Sequence, residues 1–126
     1  MVSIVQFLCL VFVLIPISVL HANKCSTSDI VVTQNKSGTV VKTKPEFDVT
    51  LFNACPCPVV NVKLACNGFK TVEKIDPQVL VANGNQCHLP QGSLIAPFSG
   101  YVFSYSWDSE FEFKVVSSET RCDWRK

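Results

Sequence analysis

The residues of this chain with the most evident chemistry are its seven cysteines, three of which lie close together at positions 55, 57 and 66. Cys55-Pro56-Cys57 could form a redox centre, and Cys66 with Cys87-His88 could supply the thiolates and imidazole of a metal site. The spacing matches none of the usual zinc patterns. We therefore interpret the cysteines as disulfide partners and expect neither a metal site nor a cofactor.

The number of cysteines available for disulfides depends on whether the apolar N-terminus is cleaved. Residues 7–15 form an uninterrupted apolar run, and Ala22 offers a small residue for cleavage. The run is shorter than the roughly 20 residues of a membrane span, which predicts a secretory signal peptide over residues 1–22. No Lys or Arg precedes it, and an uncleaved anchor is the alternative. Cleavage would remove Cys9 and leave a single secreted domain, residues 23–126, without stable membrane insertion.

Six cysteines would remain after export, and an even number in a small secreted chain predicts three disulfides. A bond between Cys55 and Cys57 is unfavourable because a single intervening residue would strain the ring. The other pairings remain open. We expect an oxidised, secreted extracellular protein, with disulfides formed by Cys25, Cys55, Cys57, Cys66, Cys87 and Cys122.

The pattern around the cysteines is that of strands. Val60, Val62 and Leu64 alternate with Asn61 and Lys63, which predicts a strand with one buried face. Similar runs separated by turn signals continue to residue 115, and no convincing helix is present. We predict an all-β fold, a disulfide-stapled antiparallel β-sandwich of about seven short strands. The expected strands span residues 29–34, 39–43, 47–53, 55–66, 69–75, 101–107 and 111–115.

The same pattern predicts two hairpins. Residues 35–38, Asn-Lys-Ser-Gly, are typical of a turn between the first two strands. Asp108-Ser109 is a plausible connection between residues 101–107 and 111–115, whose aromatic side chains would then contact one another across neighbouring strands. Such an aromatic stripe is more often core than a carbohydrate-stacking platform. Residues 83–100 are rich in polar residues, Gly and Pro and are expected to form a loop.

Charge and histidine content disfavour two classes of function. The 11 basic and 10 acidic residues are interspersed, whereas binding to a phosphate backbone needs a basic stripe, so we expect no nucleic-acid partner. After cleavage His88 would be the only histidine, and an exposed loop residue is its simpler interpretation. A Ser-His-Asp arrangement would have one possible base. We predict no catalytic residue and conclude that the chain is not an enzyme.

Two further features are candidate sites. Asn35-Lys36-Ser37 is an N-glycosylation sequon in a predicted turn, so Asn35 is predicted to carry a glycan. Trp124 lies beyond the last cysteine and beside Arg125, a pair with the composition of an interface anchor. We predict that Trp124 and Arg125 contact a receptor, with a frayed terminus as the alternative.

The order of motifs from Cys25 to Cys122 resembles that of the plant tapetum-determinant family of small secreted cysteine-rich proteins. All six cysteines have counterparts in that family, and the resemblance extends over almost the whole chain after the predicted leader. The matching pieces are Cys25-x-x-x-Asp29-Ile30, Asn53-x-Cys55, Cys57, Cys66 with Gly68-Phe69, Ile75-Asp76-Pro77, Cys87 with Gly92, Phe103-x-Tyr105 and Cys122.

The resemblance implies a secreted ligand that acts in plant cell-fate or developmental signalling through a leucine-rich-repeat receptor kinase. Two alternatives stay open on the residues alone. One is an extracellular β-sandwich that binds a small apolar or carbohydrate molecule, for which a cavity of roughly 300 Å³ or more between the sheets would be evidence. The other is a structural protein associated with the cell wall.

Overall fold

The structure, a computed structural model, describes residues 25–122, which form two antiparallel sheets packed face to face. Apart from a 3₁₀ helix at Thr27–Asp29, the regular elements of these residues are strands. The prediction of a disulfide-stapled, all-β antiparallel sandwich is confirmed. The strands are β1 (Ile30–Val41), β2 (Lys44–Asn53), β3 (Val59–Ala65), β4 (Val81–Asn83), β5 (Gln86–His88), β6 (Leu94–Ile95), β7 (Gly100–Ser106) and β8 (Lys114–Thr120).

The two sheets have central strands that follow one another in the chain. The first sheet has the order β1-β2-β7. In the second sheet β8 pairs with one edge of β3, whereas β5 and β6 pair with opposite ends of its other edge and β4 extends the sheet beyond β5. Both β5 and β6 lie in residues 83–100, which we expected to be loop. β2 is the central strand of the first sheet and β3 is the central strand of the second. The short bend at residues 54–58 connects them.

The predicted hairpin turn at residues 35–38 is wrong, because β1 continues through them as one strand. The pairing with β2 shifts register between Lys36 and Val40, so these residues form a bulge. The chain turns at Lys42 and Thr43, whose φ angles of 48° and 69° suit a two-residue hairpin loop. Lys and Thr carry no turn signal of the Asn-Gly kind, which explains the misplaced turn.

The predicted hairpin between residues 101–107 and 111–115 is also wrong. β7 pairs with β2 in the first sheet, whereas the chain then crosses over and β8 pairs with β3 in the second. The aromatic side chains therefore meet between the sheets: the ring of Phe113 lies 5.4 Å from that of Phe103 and 5.6 Å from that of Tyr105. Alternation indicates which face of a strand is buried, but it does not indicate which sheet the strand joins.

Phe69 adds to this aromatic cluster from a loop. Residues 69–75, predicted as a strand, form none in the structure. The Phe69 ring instead packs edge-on against the rings of Tyr105, Phe111 and Phe113 at 5.3 to 5.5 Å. Such contacts add about 0.5–1.5 kcal/mol each beyond the burial of area, so aromatic packing anchors this loop.

The core draws on the inward faces of both sheets. Val49 and Leu51 of β2 and Val62 and Leu64 of β3 are completely buried, as the alternation predicted. Truncating a buried Leu of this kind typically costs about 2–5 kcal/mol. The buried cluster comprises Ile30, Phe47, Val49, Leu51, Val59, Val62, Leu64, Cys66, Leu80, Cys87, Leu89, Ile95, Phe103, Tyr105, Phe113 and Val115.

Three disulfides fasten the sandwich, namely Cys25–Cys55, Cys57–Cys122 and Cys66–Cys87. The first two tie the first and last described residues to the bend between β2 and β3, and the third links the end of β3 to β5. Cys55 and Cys57 bond to different partners. The sequence separations of 21 to 65 residues correspond to about 3–4.5 kcal/mol each in the chain-entropy model.

Asn53, the last residue of β2, is completely buried and holds the same bend through hydrogen bonds. Its Nδ2 donates to the carbonyl oxygens of Cys57 at 2.9 Å and Ile95 at 3.0 Å. Its Oδ1 accepts from the backbone N–H of Cys55 at 3.0 Å. One side chain of the first sheet thus satisfies backbone groups of the bend and of β6 in the second sheet.

We predict that Asn53→Ala lowers the free energy of unfolding by about 2–4 kcal/mol, because it removes the partners of several buried backbone groups at once. Asn85→Ala is the matched control, since Asn85 is exposed and its Oδ1 accepts one hydrogen bond, from the Gly68 N–H at 3.2 Å. That change should cost less than about 1 kcal/mol. Urea denaturation of the oxidised proteins measures both, and equal losses would contradict the role of Asn53.

Candidate interaction surfaces

The structure describes some of the predicted site residues and not others. Asn35 lies within β1 rather than in a turn, and its side chain is exposed. Trp124 and Arg125 lie outside the described residues, as does the predicted leader at 1–22, so these remain predictions. His88 is half-buried in β5 instead of exposed in a loop.

Cysteine and histidine serve other purposes than metal binding in the described part of the chain. Cys66 and Cys87 are bonded to each other. His88 Nδ1 lies 3.1 Å from the carbonyl oxygen of Leu89. Over residues 25–122, no group of three or more His, Cys, Asp or Glu side chains could hold a metal ion. The metal ligands that the sequence suggested, Cys66, Cys87 and His88, therefore form a disulfide and a local hydrogen bond instead.

The outward side of the first sheet, which we call the outer face, presents an apolar patch. Val31 of β1 lies opposite Phe52 of β2, and Thr50 of β2 lies opposite Val102 of β7 in the next row. Val31, Phe52 and Val102 are 45%, 39% and 55% exposed, so the described residues leave a substantial part of each side chain uncovered. Adjacent exposed apolar side chains of this kind mark interaction sites.

The outer face becomes polar and charged toward its other end, where Lys44 of β2 forms an ion pair with Asp108. Asn35, Asp48 and Ser104 form one row across the sheet, and Ser104 Oγ donates a hydrogen bond to Asp48 Oδ1 at 2.6 Å. Beyond this row Ser37 Oγ donates to Glu46 Oε1 at 2.6 Å. The predicted glycan site at Asn35 therefore lies at the charged end of the face, away from the apolar patch.

A second carboxyl group approaches Glu46 from the loop at residues 69–75. The buried Ser106 donates its hydroxyl to Glu73 Oε1 at 2.8 Å, and the Val72 N–H donates to the Ser106 carbonyl at 3.0 Å. Burial raises the pKa of Glu73, and the hydrogen bond with the Glu46 carboxyl raises it further, against the opposing effect of the Ser106 hydrogen bond. A proton on Glu73 thus favours the attachment of the loop to the sheet.

A cleft of about 360 Å³ opens on the outward side of the second sheet, at an irregular part of β3. The register between β3 and β8 shifts between Val60 and Lys63, and Asn61 has a φ of 54°. We call this hollow the polar cleft. Its polar lining includes Asn61, Lys63, His88, Gln91, Ser117 and Glu119.

A second hollow, an apolar groove of about 410 Å³, lies beside the loop that follows β3. Its apolar lining includes Phe69, Ile75 and Leu80. Both hollows open at the surface, whereas the region between the sheets is occupied by core side chains. This arrangement disfavours an internal site for a small apolar ligand.

We predict that Glu73→Gln reduces the pH dependence of stability. The folded protein holds the Glu73 proton more tightly than the unfolded chain, so this contribution is present at low pH and is lost as the pH rises through the raised pKa. The Gln amide keeps an acceptor for Ser106 and offers a donor to Glu46. Its free energy of unfolding should therefore fall less than that of the native protein between about pH 4 and pH 7.

Chemical denaturation at the two pH values measures this difference. Glu112→Gln is the control, because Glu112 is exposed, and its profile should follow that of the native protein. Superimposable profiles for the native protein and Glu73→Gln would contradict the assignment.

Comparison with families and with individual proteins gives a consistent result. A family model described as "Tapetum determinant 1, C-terminal" matches residues 26–123. The "TPD1 protein homolog 1B" of Oryza sativa subsp. japonica is 26% identical over 106 residues, 82% of this chain. An uncharacterized protein of Arabidopsis thaliana is 30% identical over 82 residues, 62% of this chain. The "TPD1 protein homolog 1" of Arabidopsis thaliana is 25% identical over 96 residues, 74% of this chain.

These matches cover 62%, 64% and 54% of the three relatives, respectively, so the chain spans less than two thirds of their length. No solved structure matches the chain. Across residues 25–122, no helix is long and apolar enough to cross a membrane.

The match to the family model begins one residue after Cys25 and ends one residue after Cys122. It therefore covers both sheets, the bend that Asn53 holds and the two surface hollows. This agrees with the resemblance found in the motifs of the sequence. The chain belongs to the family of the Tapetum determinant 1 C-terminal region.

Proposed function

We propose that the chain is a secreted plant protein ligand that acts in cell-fate or developmental signalling through a leucine-rich-repeat receptor kinase. Membership of the tapetum-determinant family supports the developmental role, as do the names of the relatives in rice and Arabidopsis. The receptor class is the one that the resemblance of the cysteine motifs implies. The proposal assigns no catalytic residue and no cofactor.

The disulfides support the extracellular part of the proposal. Six cysteines form three bonds in the described region, and disulfides persist in oxidising compartments such as the secretory pathway and the extracellular space. The predicted leader at residues 1–22 would direct the chain there. Secretion to the apoplast accounts for both features.

The observation that carries the receptor proposal is the outer face of the first sheet. Its apolar patch lies on β1, β2 and β7, and its charged end carries Asp48, Glu46 and Lys44. Specific protein interfaces typically bury about 1,200–2,000 Å² and surround an apolar centre with polar groups. A leucine-rich-repeat solenoid offers an extended concave surface suited to a protein of this size. We infer that the receptor contributes apolar side chains opposite the patch and polar or charged groups opposite the charged end.

We expect Val102→Lys to weaken the binding of the oxidised protein to its receptor ectodomain by about tenfold or more, because an ammonium group would be desolvated at the apolar centre of the contact. Val116→Lys is the matched control. Val116 is 50% exposed, against 55% for Val102, but it lies on β8 of the other sheet. The control should bind as the native protein does.

Surface plasmon resonance against a panel of leucine-rich-repeat ectodomains measures these affinities, and circular dichroism verifies that both variants fold. If the native protein bound no ectodomain saturably, the receptor proposal would fail. If both variants bound as the native protein does, the receptor could stand but the outer face would not be its contact.

We also predict that material secreted from a eukaryotic host carries a glycan at Asn35, since the sequon lies on an exposed part of β1. Mass spectrometry before and after treatment with a glycosidase should show a loss of mass. Asn35→Gln should abolish this loss, whereas Lys36→Gln, which keeps the sequon intact, should not. Native protein secreted at its unmodified mass would contradict this prediction.

A further inference from the structure

The polar cleft lies where the pairing of β3 is interrupted on both edges. β6 pairs with β3 as far as Val60, β5 pairs from Lys63 onward, and the register with β8 shifts between the same two residues. Within residues 25–122, Asn61 therefore has no strand partner on either side, and its φ of 54° is left-handed. A bulge of this kind redirects side chains and often lies beside a functional site.

A row of residues on three neighbouring strands supplies the basic part of the polar cleft. Lys63 of β3 lies opposite both His88 of β5 and Ser117 of β8. Lys63 is exposed because the alternation along β3 buries its neighbours on the inward face. His88 Nδ1 donates to the carbonyl oxygen of Leu89 at 3.1 Å, which leaves Nε2 for a ligand.

The other polar groups of the cleft are mainly amides and hydroxyls. Asn61 and Gln91 contribute primary amides, and Ser117 contributes a hydroxyl. Among the described residues, the side chains of Asn61, Lys63, Gln91 and Ser117 have no hydrogen-bond partner. Amides and hydroxyls both donate and accept hydrogen bonds, so this set matches a ligand that carries several hydroxyl groups.

The charges around the cleft favour an anionic ligand that also carries donors. Lys63 has no ion pair in the described region, whereas Glu119 lies 3.5 Å from Arg121. An inorganic anion donates few hydrogen bonds to the acceptors of the cleft, and the carboxylate of Glu119 would repel it. A sugar acid suits both sets of groups, because its carboxylate accepts from Lys63 and its hydroxyls can donate to Glu119.

We propose that the polar cleft binds an acidic saccharide, a chain of hexuronate units, with one carboxylate on Lys63 and neighbouring hydroxyls on Asn61 and Gln91. The volume of about 360 Å³ falls within the range of roughly 300–1,000 Å³ that is usual for small-molecule sites. The cleft lies on the second sheet and the outer face on the first. The saccharide site therefore goes beyond the receptor proposal and does not depend on it.

Isothermal titration calorimetry of the oxidised protein with trigalacturonate tests the proposal, with the methyl ester of the same trisaccharide as the uncharged comparison. The ester should bind at least about tenfold more weakly, the effect of losing one charge-assisted hydrogen bond. Lys63→Gln should weaken the binding of trigalacturonate by about tenfold. Lys70→Gln removes the same charge from an exposed position outside the cleft and should change the affinity by less than about twofold.

Asn61→Gly separates binding from folding, because Gly adopts a φ of 54° without strain. This variant should be at least as stable as the native protein in thermal denaturation, yet bind trigalacturonate about fivefold more weakly. Equal affinities for the acid and its ester would overturn the proposal. So would equal weakening by Lys63→Gln and Lys70→Gln, or full displacement of the saccharide by an equimolar amount of inorganic phosphate.

Discussion

Both ends of the described chain are tied to the bend that joins the central strand of one sheet to the central strand of the other. The bonds Cys25–Cys55 and Cys57–Cys122 form the covalent part of this arrangement. The buried amide of Asn53 forms the non-covalent part, because it bonds to the bend and to β6 together. Opening the bend would leave buried backbone groups without partners, although neither disulfide would have to break, because Cys55 is bonded to the segment before β1 and Cys57 to the segment after β8. A domain of about 100 residues has only a moderate core, so the hydrogen bonds of Asn53, which link β2 to β6 of the other sheet, contribute to holding the two sheets together.

The packing between the sheets depends on this fixed arrangement. The aromatic rings of β7 meet those of the segment that crosses to β8, and Phe69 packs against them from a loop. Such contacts require sheets held at one distance and angle, since edge-on rings attract only over a narrow range of geometry. The loop at residues 69–75 joins the same assembly through Ser106 and the carboxyl pair of Glu46 and Glu73. Part of its attachment is therefore sensitive to pH.

Because core side chains fill the space between the sheets, we expect partners and ligands to bind on the two outward sides of the sandwich. The first sheet presents a nearly regular surface with an apolar end and a charged end, a form suited to another protein. The second sheet is interrupted at Asn61 and forms a hollow lined by amides, hydroxyls and a lysine, a form suited to a small polar ligand. Because these surfaces belong to opposite sheets, a receptor and a saccharide could be bound at the same time.

The class of fold, the six half-cystines and the buried faces of β2, β3 and β7 could be predicted from the sequence. These properties follow from each residue's own side chain and from a period of two, which are local quantities. The partner of each cysteine, the turn at Lys42-Thr43 and the sheet that β8 joins could not be predicted, because they depend on how distant segments pack in the folded chain. The row of His88, Lys63 and Ser117 also depends on the packing of distant segments. Along the chain these residues appear as unrelated polar positions, and only the pairing of three strands brings them together.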